Sequence, residues 1–140
     1  MSGSPLSVTE LEATEKIPWV AQIYLSRALR RGRTGVLLDA NIRDPPRSMS
    51  PKWGIVWIKE NGESLCARSK SERLPKFVGI GPGKHDLEFI VTRRGRGGIS
   101  FSKEIELQPG QVLVALCEPI QPNVFYKKSP TADAWRIGIR

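Results

Sequence analysis

Apolar and polar residues alternate in short runs along most of this chain, and glycine or proline separates the runs. Residues 85–92 place Leu87, Phe89 and Val91 on one face and Asp86 and Glu88 on the other. Residues 99–107 repeat the pattern, with Ile99, Phe101, Ile105 and Leu107 inward and Ser100, Ser102, Glu104 and Glu106 outward. A period of two marks a strand with one face in a core and one in water. Residues 54–60 are apolar on both faces, Ile55 and Trp57 on one, Val56 and Ile58 on the other. That composition predicts a central strand covered from both sides. Asn61-Gly62 then supplies the favoured two-residue hairpin turn, and the chain returns through residues 64–67. Pro82-Gly83 and Pro109-Gly110 each precede an extended run, proline fixing φ at the corner and glycine permitting the reversal. A short strand is predicted over 77–80 and a closing strand over 134–139.

Residues 19–29 fit two periods. Val20, Ile23, Tyr24 and Ala28 form a helical stripe, whereas Trp19, Ala21, Ile23 and Leu25 alternate as in a strand. The glycine-bearing turn chemistry that follows favours the strand. Residues 41–51, with Pro45, Pro46 and Pro51, read as an irregular connection. Residues 1–16 read as a flexible leader ahead of a single domain over 17–140. About eight short antiparallel strands and no long amphipathic helix predict an all-β fold, a single Ig-like β-sandwich.

Two hexapeptides concentrate the charge. Arg30-Arg31-Gly32-Arg33-Thr34-Gly35 and Arg93-Arg94-Gly95-Arg96-Gly97-Gly98 both lie between apolar runs, and each reads as the tip of a hairpin. They hold six of the thirteen arginines and supply most of the formal charge of +8. Guanidinium groups bind carboxylate and phosphate through paired hydrogen bonds, and glycine lets a backbone approach closely. Arg30, Arg31, Arg33, Arg93, Arg94 and Arg96 are therefore the candidate anion- or partner-binding residues. Together on one end of the fold they would form one salt-sensitive site. Neither tip carries the aromatic residues that single-strand nucleic-acid binding uses. The acidic outward face of residues 85–107 would also repel a phosphate backbone beyond the second tip. A second candidate contact is Phe125 and Tyr126, followed by Lys127 and Lys128, in a segment outside any clear strand.

Other chemistry finds little support. Gly79-Ile80-Gly81-Pro82-Gly83-Lys84 lacks the spacing of a phosphate-binding loop, with Val78 and His85 where glycine and a hydroxyl belong. Pro82 also removes one of the backbone N–H groups such a loop needs. Cys66 and Cys117 sit in apolar runs and read as buried reduced thiols. With His85 as the one histidine, no zinc ligand set assembles. No catalytic residue, metal or cofactor is assigned. No apolar run approaches the roughly 20 residues of a membrane span. Residues 1–15 carry neither the basic nor the apolar region of an export signal, so cytoplasm is the expected compartment.

The run Phe77-Val78-Gly79-Ile80-Gly81-Pro82-Gly83-Lys84-His85-Asp86-Leu87, followed by Leu107-Gln108-Pro109-Gly110-Gln111-Val112-Leu113-Val114, resembles PEGA-type domains and related small bacterial β-sandwich domains of unknown function. The resemblance covers roughly residues 53–118, with Ala21-Gln22-Ile23-Tyr24 in the place of the opening strand. It implies a PEGA-like sandwich and a non-enzymatic accessory or binding module. The combined expectation is a binding or assembly module that contacts an acidic protein surface, or another copy in a homo-oligomer, through its arginine tips. The alternative is a nucleic-acid-binding protein that uses the same tips on phosphate.

Overall fold

The computed structural model describes residues 6–40, 53–69, 74–93, 97–119 and 133–140. Among them, nine strands and one helix follow in the order β1 (Leu6–Glu10), α1 (Trp19–Arg30), β2 (Gly35–Ala40), β3 (Trp53–Glu60), β4 (Glu63–Ser69), β5 (Lys76–Gly79), β6 (Gly83–Arg93), β7 (Gly97–Leu107), β8 (Val112–Pro119) and β9 (Asp133–Ile139). One sheet has the order β1-β9-β8-β2-β5 and the other β4-β3-β6-β7. The domain is all-β in its framework, with two sheets packed face to face and one short helix.

The architecture follows from β2 and β8. Val36, Leu37 and Leu38, and all six residues from Val112 to Cys117, are buried. Such strands need cover on both faces. Val36, Leu38, Leu113, Ala115 and Cys117 pack towards Val56, Ile58, Leu87, Phe89 and Val91 of the four-stranded sheet. Leu37, Val112, Val114 and Leu116 turn the other way and pack with Ala21, Leu25 and Ala28 of α1. The result is three layers: helix, five-stranded sheet, four-stranded sheet. Between the sheets, Phe89 stacks on Phe101 with ring centroids 5.0 Å apart, and Trp135 meets Phe89 edge-on at 5.3 Å. Arg68 of β4 and Asp39 of β2 form an ion pair that links the two sheets.

Several expectations are corrected by this arrangement. Residues 19–29 are helical, because Ala21, Leu25 and Ala28 fall at i, i+4 and i+7 and are buried together. The doubly covered strands are β2 and β8, while Trp57 on the outer face of β3 is half-buried. Pairing is mixed rather than antiparallel throughout, since β2 runs parallel to β8 and β1 parallel to β9. Residues 6–10 of the expected leader are strand β1, hydrogen-bonded along β9. The turns at Asn61-Gly62 and Pro109-Gly110 form as read, with φ of 51° and 81° at the first pair and 82° at Gly110. The inward set Leu87, Phe89, Val91, Ile105 and Leu107 is buried as the alternation requires.

The first arginine hexapeptide is not a hairpin tip. It ends α1 in a Schellman motif: Arg33 N–H donates to Ala28 C=O at 3.0 Å and Gly32 N–H to Leu29 C=O at 3.1 Å. Gly32 takes the left-handed φ of 63° that this cap demands. Gly35 serves a different need. A Cβ there would lie 2.2 Å from the Val78 carbonyl oxygen and 2.7 Å from the Phe77 ring. Of the second hexapeptide, Arg93 ends β6 opposite Gly97 of β7, and residues 94–96 lie outside the described residues.

All four edge strands carry a charged residue at a register position that shares the core-side face. Glu10 of β1 pairs with Ile137, Lys76 of β5 with Leu38, Arg68 of β4 with Val56 and Lys103 of β7 with Leu87. An added strand would have to bury or displace that charge, which discourages edge-to-edge association.

The two glycines of the first hexapeptide separate experimentally. Gly32→Ala should cost about 1 kcal/mol for its left-handed conformation. Gly35→Ala should cost about 2–3 kcal/mol, because Val78 and Phe77 must shift. Urea denaturation monitored by circular dichroism gives both values, and their order is the check.

Candidate functional site

Packing one side of α1 against the sheet presents the other side to water. At 100° per residue, Trp19, Ile23 and Arg30 return to within about 40° of one another, opposite the buried Ala21, Leu25 and Ala28. Trp19 is 75% exposed and Ile23 45%. A tryptophan that open is uncommon, and here an exposed isoleucine lies one turn along. The helix contains no carboxylate, and Arg27 and Arg30 occupy its last turn, where a positive charge complements the helix dipole. Arg31 and Arg33 of the cap extend the same basic end.

The arginines are held differently. The Arg33 guanidinium lies 4.9 Å from the Phe77 ring centroid, and that of Arg27 lies 5.9 Å from the Tyr24 ring. These stacking contacts leave the guanidinium edges able to donate. Among the described residues, Arg30 and Arg31 have no ion pair or side-chain hydrogen bond. The site is therefore an apolar crest at Trp19 and Ile23 that runs about 16 Å along the helix into a basic end.

The first arginine cluster and Arg93 lie at opposite ends of the β6–β7 ribbon. Thr34, just after the first cluster, accepts from Ile80 N–H at 3.1 Å and receives the Gly110 N–H on its hydroxyl at 2.8 Å. Ile80 and Gly110 flank Gly83 and Leu107, which face each other at the open end of the ribbon, away from the β6–β7 connection. Arg93 ends β6 ten residues beyond Gly83, about 33 Å away along an extended strand. Arg30, Arg31 and Arg33 are thus brought together, and Arg93 is not beside them. Arg94, Arg96, Phe125, Tyr126, Lys127 and Lys128 lie outside the described residues.

His85 does not meet a cysteine. Its Nδ1 lies 2.6 Å from Glu60 Oε2 and its Nε2 2.6 Å from the Gly81 carbonyl oxygen. Both ring nitrogens face acceptors, an arrangement that only the imidazolium satisfies in full. Burial opposes the charge, but the hydrogen bonds to Glu60 and Gly81 and the Glu60 charge outweigh it, and the pKa rises above 6.5. Neither Cys66 nor Cys117 forms a disulfide among the described residues. Burial pushes the Cys66 thiol up to about 11 against the opposing pull of Lys76, so it stays protonated at neutral pH. No group of three or more metal-ligating side chains assembles among the described residues. No helix among them is long and apolar enough to cross a membrane.

The exposed Trp19–Ile23 crest was not singled out in the sequence, because it becomes visible only once residues 19–30 are read as a helix. The ion pairs Glu60–His85 and Asp39–Arg68 span 25 and 29 positions and leave no local signature. Comparison with protein-family models, curated proteins and solved structures finds no match to this chain.

The His85 pair yields a pH test. Its pKa is higher in the folded state, so its contribution is complete below pH about 6.5 and is lost as the pH rises through the raised value. His85 is the one histidine, and Cys66 titrates far above this window. The urea midpoint should therefore fall as the pH rises above about 6.5, and His85→Gln should flatten that profile. A parent profile already as flat as the variant's would contradict the assignment.

Proposed function

We propose that this protein is a cytoplasmic, non-enzymatic binding module that docks an acidic protein surface on the outer face of α1 and its cap. The observation that carries the reading is one exposed helix face that holds Trp19, Ile23 and Arg30 and runs into a basic end with Arg27, Arg31 and Arg33, with no carboxylate in the helix. Aromatic and arginine side chains are the usual anchors of protein interfaces, the ring filling a dry centre and the guanidinium pairing with carboxylates. The resemblance to PEGA-type accessory domains points the same way. The helix is a rigid element packed by Ala21, Leu25 and Ala28, so little order is lost when a partner arrives. Arg93, Arg94 and Arg96 would form a separate contact, given the length of the ribbon between them and the helix.

A second reading has one observation in its favour. Trp19 is open enough to stack on a base, and the neighbouring arginines suit phosphate.

Fluorescence anisotropy with labelled poly-glutamate and with single-stranded DNA of equal length separates the two. Poly-glutamate should bind, and its affinity should fall as salt rises. The double variant Arg30→Ser/Arg31→Ser should weaken it about tenfold. The thermal midpoint should barely move, because both side chains are on the surface. Tighter binding to DNA than to poly-glutamate would favour the nucleic-acid reading. Binding to neither at low salt would overturn both.

A further inference from the structure

Resting on that reading, we propose that the acidic surface belongs to a second copy of this chain. The helix face of one copy would seat on the outer face of the four-stranded sheet of the next. Among the described residues, no helix or sheet covers that outer face. The strand registers define it row by row. Trp57 lies beside Ile90, Lys59 beside Glu88, Asp86 opposite Glu104, and Lys84 opposite Glu106. Trp57 and Ile90 are half-buried, and Asp86, Glu104 and Glu106 are exposed. An apolar centre therefore runs into an acidic end, the counterpart of the crest on α1.

The spacings agree. Ile90 and Asp86 are four strand residues apart, about 13 Å. Ile23 and Arg30 are seven helical residues apart, about 10 Å. With Trp19 and Ile23 over Trp57 and Ile90, Arg30 reaches the Asp86–Glu104 row. That row is the one place on the face where like charges stand directly opposite each other. Glu88 has Lys59 beside it and Glu106 has Lys84, but Asp86 and Glu104 meet only one another across the strands. Opposed carboxylates are unfavourable in isolation, and a guanidinium inserted between them satisfies both.

The fold also dictates the form of the assembly. The two faces are the outer surfaces of opposite layers, so a copy that uses its helix face keeps its sheet face free. The contact is head-to-tail and does not close as a two-fold dimer. Strand addition is discouraged by the charged residue on each edge, which leaves the faces as the route to association. The net charge of +8 repels copies at long range, while the matched groups meet inside a Debye length of about 8 Å.

Sedimentation velocity across a concentration series tests this with the full chain and two neutralised variants, Arg27→Ser/Arg30→Ser on the helix and Asp86→Ser/Glu104→Ser on the sheet. The parent protein should grow past the 15.6 kDa monomer and past the dimer without a plateau. Each variant alone should remain monomeric, with association weakened at least about tenfold. Mixed, the two should form a one-to-one dimer and nothing larger, because one intact helix face and one intact sheet face remain to meet. A parent protein that stays monomeric, stops at a dimer, or assembles equally well with the sheet variant overturns the proposal. In that event, intact binding of poly-glutamate that Arg30→Ser/Arg31→Ser weakens preserves the acidic-partner reading. Loss of both signals removes both.

Discussion

The structure depends on one constraint: β2 and β8 are apolar on both faces, so the sheet they form has to be covered twice. Leu37, Val112, Val114 and Leu116 cannot be left facing water while Val36, Leu38, Leu113 and Ala115 pack into the sandwich. Burying a single side chain of this kind is worth about 1.5–3 kcal/mol, and four such positions on the outer face demand a partner. The Ala21–Leu25–Ala28 stripe of α1 is that partner. The small alanines let the helix axis approach the sheet, and Leu25 fills the space between the strands. Once α1 lies there, its other side has to face solvent, and the exposure of Trp19, Ile23 and Arg30 follows.

The same constraint explains the first arginine hexapeptide. The chain must leave α1, reverse, and enter β2 within four residues. Gly32 provides the left-handed turn that closes the helix, and Gly35 allows β2 to pass within contact of the Val78 carbonyl and the Phe77 ring. The arginines of the motif serve charge, and the apolar contact among them is the stacking of Arg33 on Phe77. The charged residues elsewhere divide into distinct tasks. Asp39–Arg68 ties one sheet to the other, Glu60–His85 closes the end of the sandwich by holding the turn at Gly81, and Arg136 with Glu15 secures the chain before α1. Arg140 adds to this last contact through hydrogen bonds to the Glu12 and Glu15 carbonyls.

Much of the four-stranded sheet was legible. Leu87, Phe89 and Val91 against Asp86 and Glu88 is a strict alternation, and Asn61-Gly62 names its own turn. The five-stranded sheet was harder. Its central β2–β8 pair is parallel, and a parallel neighbour lies far away in sequence, with β2 and β8 separated by more than seventy residues. The doubly apolar run from Val112 to Cys117 signals two-sided burial, and residues 54–60 carry the same signal although Trp57 is only half-buried. The helix was missed because no Ser, Thr, Asp or Asn precedes it. Pro18 stands at the cap without a side-chain hydrogen bond, and Arg-Arg-Gly-Arg resembles a hairpin tip as closely as it does a basic helix end with a C′ glycine. Of the six candidate arginines, the three around Gly32 form a cluster, but the exposed Trp19 at the other end of the same helix face emerges only with the helix.

The amino-acid sequence by itself determined the class of fold, the turns, the inward and outward sets of β6 and β7, and the placing of positive charge in two short motifs. These are local properties, set by side-chain period and by the φ values that glycine and proline allow. Tertiary structure decided which faces oppose each other. It put a helix over β2 and β8, set Arg93 at the far end of the ribbon from the first arginine motif, and set a basic apolar face and an acidic apolar face on opposite layers. The reason is that burial is settled between elements distant in sequence. A residue such as Trp19 becomes a surface anchor or a core filler according to which side of its helix the sheet has already claimed.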